Sequence, residues 1–381
     1  MRFTTKIYLY RFFDDFVLIY PLYTVMFGDF GISPLQISIL LAFWSGTAML
    51  LEIPSGVLAD MFSRKALLIV AQFIRVVGYL AWIIFPTFWG FLFGFVCWGI
   101  KSALTSGTLQ ALIYDELNAN GKNALYTKVL GKTKTMSFIA ILCSSLLASI
   151  AINWGYSFVL TLSTLALVLS ILSLVLIKSV PMIRSTGESK FLEVLAEGIR
   201  YTMDNKTLVS IIIFLSFAFA LGGALDEFWT LFADDLGTPK WGLGIFLASM
   251  SIAQATGNSI VEKFSNITNS KAYMVFIANG ILLILAAYMF NIFSLVLLVV
   301  FSFTFSIIQT VFEGKLQHNT PTNVRATISS LNGFIIELFV LVVYFSTGYI
   351  SQLSSYQAAF HFWGIAIIII GLAYLLIAKS K

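Results

Sequence analysis

A chain of 381 residues, of which 59% are hydrophobic and only 11% are charged, cannot cover a water-soluble surface, because soluble domains carry about 25% charged residues. The mean hydropathy of +0.92 therefore indicates that the lipid bilayer is the solvent of this protein. The net charge of +5 does not indicate a nucleic-acid partner, because the lysines and arginines lie beside the apolar runs.

The apolar runs are about 20 residues long and lack period-2 alternation, so they predict helices rather than the strands of a barrel. The first run, residues 7–28, contains charged residues and is followed by no small-residue cleavage site. We therefore expect a retained first span rather than a cleaved signal peptide. Cys97 and Cys143 lie inside apolar runs, which predicts buried thiols rather than a disulfide.

Twelve candidate spans follow one another along the chain. They cover 7–28, 34–57, 66–85, 88–113, 127–152, 156–177, 207–229, 241–261, 272–290, 292–314, 325–350 and 356–378. The loops on one side of the membrane carry nearly all of the lysines and arginines, whereas the other side offers only Lys240. Both termini fall on the basic side. The positive-inside rule therefore predicts that both termini are cytoplasmic and that the protein lies in the cytoplasmic (inner) membrane.

One long connector, residues 178–206, separates two groups of six spans. Its second part has apolar and charged residues on opposite helical faces, which predicts an amphipathic helix at the cytoplasmic interface. The chain is thus expected to consist of an N-terminal half (1–177), this linker, and a C-terminal half (207–381). A short sequence similarity between residues 107–110 (GTLQ) and 314–317 (GKLQ) supports two repeated halves.

A charged turn between the second and third spans carries the most specific motif. In the stretch LEIPSGVLADMFSRK (51–65), Gly56, Asp60, Arg64 and Lys65 form the pattern G-x-x-x-D-x-x-x-R-K. This turn resembles the signature loop of the major facilitator superfamily of secondary transporters. The resemblance implies an all-α membrane protein with twelve transmembrane helices in two six-helix pseudo-repeat halves.

Two further segments, SGTLQALIYDEL (106–117) and RATISSL (325–331), look like cytoplasmic ends of spans in the drug-exporter and siderophore-exporter branch of that family. Two departures weaken an assignment to a proton–drug antiporter. Phe95 stands where the family has an arginine in span four, and the glycine-proline motif of span five is absent from 127–152.

The signature turn is expected to act as a cytoplasmic gate. Asp60 can accept hydrogen bonds from a helix N-terminus, and Arg64 can bridge to an acid on the neighbouring half when the gate is closed. The alternative is ordinary loop charge that only sets topology. The predicted gate residues are Glu52, Gly56, Asp60, Arg64, Lys65, Glu313 and Arg325.

Ionisable residues inside the spans are the main functional candidates, because such a group costs about 2.5–3.5 kcal/mol at mid-bilayer. In span one, Arg11, Asp14 and Asp15 share one helical face. Arg11 can neutralise one carboxylate, which would leave the other uncompensated and able to carry a proton or contact a cation. The alternative is a structural ion network near the cytoplasmic end.

Spans three and four each carry a basic residue near their middle. Lys101 lies on a face of small and polar residues that suits a water-filled cavity. In the family span four lines the central cavity, so Lys101 is a candidate for binding an anionic group or for pairing with Asp14 or Asp15. A purely structural salt bridge is the alternative. Arg11 and Arg75 complete the candidate group for proton coupling or substrate binding, although we expect the role of Arg75 in span three to be mainly structural.

Span eleven contains Glu337, twelve residues beyond Arg325 and therefore about 18 Å deeper. Its helical face is otherwise small, polar and aromatic, which favours a site for a proton or a cation. Four other acids lie at and beyond the outer end of span seven and are expected to form a solvated outer face, with attraction of cations as the alternative. They are Asp226, Glu227, Asp234 and Asp235.

Enzyme motifs are missing from the sequence. There is no G-x-x-x-x-G-K-[ST] phosphate loop, H-E-x-x-H stretch or G-x-S-x-G stretch, so direct use of ATP and catalysis are not expected. His318 and His361 have no metal-ligand neighbours, so we expect neither a metal nor a cofactor. The expected partners are a small-molecule substrate, protons and membrane lipid, without nucleic acid, and we expect a monomer.

The sequence thus predicts a secondary active transporter that works by alternating access in the cytoplasmic membrane. Protonation of Glu337, or of the Asp14/Asp15 pair, would permit the conformational change. The exporter-like segments favour proton-coupled efflux of a drug-like or siderophore-like compound. Uptake of a zwitterionic or anionic metabolite is the first alternative, and a non-transporting membrane sensor on the same fold is the second.

Overall fold

The computed structural model describes residues 3–177, 200, 202–264, 267–320 and 325–379, without the side chains of residues 60, 206, 207, 325–327 and 379. Within these ranges the regular elements are all helical. They are α1 (Phe3–Asp15), α2 (Tyr23–Asp29), α3 (Pro34–Met61), α4 (Arg64–Ile84), α5 (Phe88–Thr105), α6 (Thr108–Ala119), α7 (Tyr126–Ala151), α8 (Tyr156–Val175), α9 (Lys206–Asp226), α10 (Trp229–Asp235), α11 (Lys240–Ser259), α12 (Asn269–Met289), α13 (Ile292–His318), α14 (Arg325–Leu353) and α15 (Tyr356–Lys379), with short 3₁₀ turns between some of them.

The described helices belong to two compact units. The first unit holds α1 to α8 together with residues 239–248, and the second holds α9, α10, residues 249–259 of α11, and α12 to α15. The predicted amphipathic helix of the connector lies almost wholly outside the described residues. The exact boundaries of the two predicted halves therefore stay a prediction.

Among the described residues, ten helical segments are long and apolar enough to cross a membrane. Two of the twelve predicted spans do not meet that standard. The eighth corresponds to α11, whose apolar stretch is interrupted by Gln254, Asn258 and several serines. The first is not a single helix, because it is divided into α1 and α2.

The prediction of one continuous helix over 7–28 is wrong, because α1 ends at Asp15 and α2 begins only at Tyr23. Pro21 has no backbone N–H and disfavours a helical conformation at the residue before it. Within the break, the backbone N–H of Ile19 donates a hydrogen bond to Ser163 Oγ of α8 at 3.0 Å. The polar backbone of the break is thereby paired inside the first unit.

The predicted span 88–113 is also broken. It ends as α5 at Thr105 and resumes as α6 at Thr108, because Gly107 adopts the left-handed conformation with φ +68°. Glycine occupies this conformation without the steric penalty that a Cβ brings. Span seven likewise ends earlier than predicted, at Asp226, and is followed by the short helix α10.

The two short helices α2 and α10 belong to an internal repeat that is longer than the similarity between residues 107–110 and 314–317. Each has seven residues and is followed by a glycine with positive φ, +82° at Gly31 and +87° at Gly237. Thr24 and Asp29 of the first copy recur as Thr230 and Asp235 at the same spacing from these glycines. Such repeated elements are typical of transporters built from two related halves.

The signature turn is shorter than predicted. Helix α3 continues to Met61 and α4 begins at Arg64, so only Phe62 and Ser63 separate them. The Ser63 hydroxyl accepts a hydrogen bond from the backbone N–H of Ala66 and caps α4. A serine at this position satisfies one of the free N–H groups of the first helical turn.

Aromatic side chains fill the centre of the first unit. Tyr23, Phe27, Trp82, Phe95 and Trp98 contact one another with ring centroids 5.1–6.2 Å apart. Most of these contacts are edge-to-face or tilted, the arrangements that aromatic pairs prefer. The bulk of these rings fixes α2, α4 and α5 relative to one another around the site described below.

A glycine pair sets the close crossing of α12 and α15. A Cβ built on Gly280 would lie 2.7 Å from the carbonyl oxygen of Gly364, and one built on Gly364 would lie 2.9 Å from that of Gly280. Small residues at such crossings let helix backbones approach in a membrane. The packing of the second unit therefore depends on the absence of side chains at both positions.

We expect Gly280→Leu to destabilise the protein by about 1–3 kcal/mol, because the new side chain would push two backbones apart. Gly314→Leu is the control, since nothing lies within 4 Å of a Cβ at that position of α13. Thermal unfolding in detergent compares the two variants. Equal melting temperatures for both would contradict the close crossing.

Candidate functional site

Asp14, at the end of α1, is the centre of a buried ion cluster in the first unit. Its side chain is only 1% exposed, and it lies between three cations and an amide. Its carboxylate oxygens contact Lys101 Nζ at 2.9 Å, Arg75 Nη1 at 3.2 Å, Arg11 Nη1 at 3.2 Å and Gln72 Nε2 at 2.7 Å. A buried charge is tolerated only when it is paired and hydrogen-bonded in this way.

Three helices bring these groups together. Arg11 lies one turn before Asp14 on α1, Gln72 and Arg75 are one turn apart on α4, and Lys101 comes from α5. Arg75 also donates to the backbone carbonyl oxygen of Asp14 at 3.0 Å. The side chains of α4 and α5 are thus anchored to the point at which the first span breaks.

Aromatic groups complete the surroundings of Arg75. Its Nη2 donates to the Tyr79 hydroxyl at 3.1 Å, and its guanidinium carbon lies 4.6 Å from the centre of the Trp98 ring. A guanidinium over an indole face is a favourable cation–π contact. Sequence reasoning expected Arg75 to be structural, and the structure places it on the same carboxylate as Lys101.

Asp15 is more exposed, at 19%, and pairs with Arg11 Nε at 2.9 Å. The Ser137 hydroxyl of α7 donates to Asp15 and accepts from Arg11 Nη2 at 3.2 Å. The expectation that one of the two carboxylates lacks a counter-charge is therefore wrong. With three cations and two carboxylates, the cluster carries a net charge of about +1 when all five groups are ionised.

The predicted gate residues Arg64 and Lys65 pair inside the first unit. Arg64 forms a salt bridge with Asp115 of α6 and donates to the Ala111 carbonyl oxygen at 3.2 Å. This acid belongs to the same unit, and the bridge to an acid of the neighbouring half in the closed state stays a prediction. Lys65 Nζ donates to the carbonyl oxygens of Val175 and Ile177 at 2.9 and 2.5 Å, where a cation stabilises the C-terminus of α8.

Glu52 and Gly56 are the remaining gate candidates of α3 with described side chains. Glu52 Oε1 accepts from Ser106 Oγ at 2.8 Å, which ties α3 to the break between α5 and α6. Gly56 is exposed, and a Cβ there would meet nothing within 4 Å. The side chains of Asp60 and Arg325 lie outside the described part of the structure, so their gate roles stay predictions.

A cavity of about 360 Å³ lies in the second unit between α9, α11 and α13. The predicted gate residue Glu313 lines it, together with Asp226, which sequence reasoning placed on a solvated face. The amide side chains of Gln254, Asn258 and Gln309 add polar groups, and Trp229 with several phenylalanines adds aromatic surface. The mixture of apolar walls and few polar groups is typical of ligand sites.

Glu337 is half-buried on α14 and lies two helical turns before Tyr344. Glu227, Glu337 and Asp226 all lie close enough to the buried Tyr344 to interact with it electrostatically. Glu227 itself is only 6% exposed, so the expectation of a solvated face is wrong for this residue. The structure thereby adds Glu227 to the buried acids that are candidates for function in the second unit.

Two of the residues that sequence reasoning missed, Glu227 and Gln72, could have been recognised from their neighbours in the sequence. Asp226 and Glu227 form an acidic pair between two apolar stretches, in GALDEFWTLF (223–232), which is unusual for solvated acids. Gln72 lies one turn before Arg75 in an otherwise apolar span, so its face could have been recognised as polar. Ser137 gave no comparable signal, because serine occurs often in apolar helices.

A family model described as Major Facilitator Superfamily matches residues 7–342. The chain belongs to the major facilitator superfamily. It is therefore a multi-pass membrane protein of the secondary-transporter type, and the predicted all-α fold is confirmed. No match was found among curated proteins.

Several solved transporters share the fold of this major facilitator. The crystal structure of the nucleoside transporter NupG is 14% identical, with a TM-score of 0.81 over 100% of both chains. A bacterial homologue of the human lysosomal transporter Spinster is 14% identical, with a TM-score of 0.75 over 99% of this chain and 95% of that one. The POT family transporter PepTSo is 12% identical, with a TM-score of 0.75 over 99% and 97%. At these identities the likeness shows the fold alone.

Proposed function

We propose that this major facilitator moves a small organic compound out across the cytoplasmic membrane by alternating access, in exchange for protons. The observation that carries the proposal is that apolar helices of both units enclose ionisable groups. Asp14, Arg75 and Lys101 lie in the first unit, and Glu227 and Glu337 in the second. Charges inside a membrane are expensive and are typical of ion and substrate pathways.

The two groups of charges suit different tasks. Asp14 touches three cations, an arrangement that suits a lasting charge network or a binding site for an anionic group. The acids of the second unit lie around the buried Tyr344, and an acid enclosed among apolar helices is a candidate for carrying a proton. We therefore assign proton coupling first to Glu337 and keep Lys101 as a substrate or switching residue.

The direction of transport rests on the exporter-like segments 106–117 and 325–331. The first of them contains Asp115, the partner of Arg64 of the signature turn. Both termini are proposed to be cytoplasmic, because the basic residues flank the spans on that side.

Uptake of a zwitterionic metabolite is a second candidate function. It is favoured by the combination of a cation-rich cluster in the first unit with an acid-lined cavity in the second. Both directions use the same coupling chemistry, and they differ in the side from which the substrate enters.

Purified protein in liposomes with an imposed proton gradient tests the proposal. Labelled cationic, zwitterionic and anionic compounds are screened for accumulation, with and without a protonophore. Accumulation of one class that the protonophore abolishes is the expected result. The absence of flux for every class, from protein that remains folded, would contradict the proposal. The sign of the gradient that drives accumulation distinguishes efflux from uptake.

A further inference from the structure

We propose that the basic end of α7 is a binding site for the headgroup of an anionic phospholipid. Lys128 and Lys132 lie about one helical turn apart near the beginning of α7, and both side chains are exposed. Together with the exposed apolar residues further along the same helical face, they form a surface that we call the lipid face of α7. This surface is separate from the groups assigned to transport, so the inference goes beyond the proposed function without resting on it.

The protein does not balance the positive charge of the two lysines. No aspartate or glutamate occurs between residues 117 and 187. Asp115 of α6 and Asp15 of α1, which are neighbouring helices, are each paired with an arginine, and neither lysine pairs with an acid in the described part of the chain. Cations at the beginning of a helix also oppose its dipole, so the lysines do not stabilise α7. An anion from outside the protein would balance them.

Aromatic residues at both ends of α7 place the lysines at the level of the lipid headgroups. Tyr126 and Tyr114 contact each other at one end with ring centroids 5.7 Å apart, and Trp154, just beyond the other end, is 65% exposed. Tyrosine and tryptophan are enriched where a membrane meets water. The rise of the helix from Tyr126 to Trp154 is about 42 Å, which matches a bilayer of about 40–45 Å with its headgroups. Lys128 and Lys132 therefore lie about 3 and 9 Å from the Tyr126 end.

The same helical face continues from the lysines into the apolar part of the membrane. Ile139, Leu146 and Ile150 follow Lys132 at a spacing that keeps to one side of a helix. Their side chains are 40%, 44% and 57% exposed, so they are available to lipid chains. Ile139 lies about 10 Å from Lys132 along the helix axis, where the acyl chain of a lipid held at the lysines would pass.

An anionic phospholipid fits both parts of this surface. Its phosphate oxygens can accept charge-assisted hydrogen bonds from the two ammonium groups, while its acyl chains pack along the apolar residues. The long side chain of Lys132 can reach the headgroups from within the membrane. A zwitterionic lipid brings a second cation that the lysines repel. An acidic soluble protein would contact the lysines but could not cover apolar residues at the depth of the acyl chains.

Lys134 provides a matched control on the same helix. It is exposed, but it follows Lys132 by two residues and therefore lies about 200° further around the helix, on nearly the opposite side. Lys134→Gln removes one positive charge at almost the same depth without changing the lipid face of α7. Comparison with Lys132→Gln thus separates a site on one helical face from a general attraction between lysines and anionic lipid.

The experiment uses the full-length chain in nanodiscs of phosphatidylcholine that contain a trace of a photoactivatable lipid. The probe is phosphatidylglycerol with a diazirine in the middle of one acyl chain, and phosphatidylcholine with the same chain is the reference. After irradiation, mass spectrometry measures the labelled fraction of the peptide that contains Ile139 and Leu146. We expect the anionic probe to label this peptide about 25-fold more than the reference, because each lysine near an anionic lipid contributes about fivefold.

Lys132→Gln is expected to lower this preference about fivefold and Lys128→Gln/Lys132→Gln to remove it, whereas Lys134→Gln should keep it. Labelling by the reference lipid should stay the same in every variant, which shows that each one is still folded in the membrane. High salt should weaken the preference of the unaltered chain, because salt screens exposed charges.

Equal labelling by the two probes in the unaltered chain would overturn the inference. A preference that survives in Lys128→Gln/Lys132→Gln, or one that Lys134→Gln reduces as much as Lys132→Gln does, would also overturn it. A second copy of the chain is the other candidate occupant, and oxidation of Ile139→Cys in liposomes tests it. Disulfide-linked dimers that the unaltered chain does not form, together with equal labelling by the two probes, would replace the lipid with a contact between copies.

Discussion

Asp14→Asn is expected to lower the free energy of unfolding by about 3–5 kcal/mol and to abolish transport, because buried cations would be left without a carboxylate between them. The side chains of Arg75 and Lys101 are only 6% and 10% exposed, so water cannot replace the lost partner. Denaturant unfolding in detergent measures the first effect, and liposome flux measures the second.

The matched control is Asp15→Asn on the same helix. Asp15 is 19% exposed and pairs with one arginine and one serine, so its replacement is expected to be milder. The double variant Asp14→Asn/Lys101→Met removes one of the stranded charges and should regain part of the lost stability. An Asp14→Asn protein as stable as the unaltered chain would contradict the paired cluster.

The second large effect concerns Glu337. Glu337→Gln is expected to reduce gradient-driven accumulation to the level of protein-free liposomes, because an amide cannot take up or release a proton. Exchange of labelled for unlabelled substrate, which needs no net proton movement, should persist. The two assays are run on the same preparation of proteoliposomes.

Asp235→Asn serves as the control for charge removal in the second unit, since it is exposed and outside the cavity. Unchanged accumulation in Glu337→Gln would transfer the proton role to Glu227 or Asp15. Loss of both accumulation and exchange would place Glu337 in substrate binding instead.

Much of the fold follows from the sequence, since composition, the positions of the apolar runs and the signature turn lead to the correct family. The helix breaks follow only in part. Pro21 is a sequence signal for the break in the first span, but the hydrogen bond from the backbone N–H of Ile19 to Ser163 depends on tertiary packing against α8. The break at Gly107 needs a left-handed backbone conformation. Glycine permits this conformation, but the presence of a glycine does not by itself predict it.

The site shows the same division. Helical spacing correctly groups Arg11 with Asp14 on one face, and it singles out Lys101 as a partner. Spacing along one helix cannot show which helix faces contact one another. The contacts of Arg75 and Gln72 with the Asp14 carboxylate were therefore not predicted.

Burial of acids is also hard to read along the chain. Glu227 lies beside Asp226 and near two further acids, a pattern that usually indicates a solvated surface. Glu227 lies in the short turn between the two helices that end at Asp226 and begin at Trp229, and its 6% exposure becomes visible only in the folded structure.

The most direct test of proton-coupled transport reverses the usual assay. Proteoliposomes containing a pH-sensitive dye are prepared without a proton gradient, and a gradient of the transported compound is then imposed. If transport is coupled to protons, the internal pH changes only when the protein is present, and the change disappears in Glu337→Gln. Movement of the compound with no change in internal pH, measured at the same protein density, would contradict it.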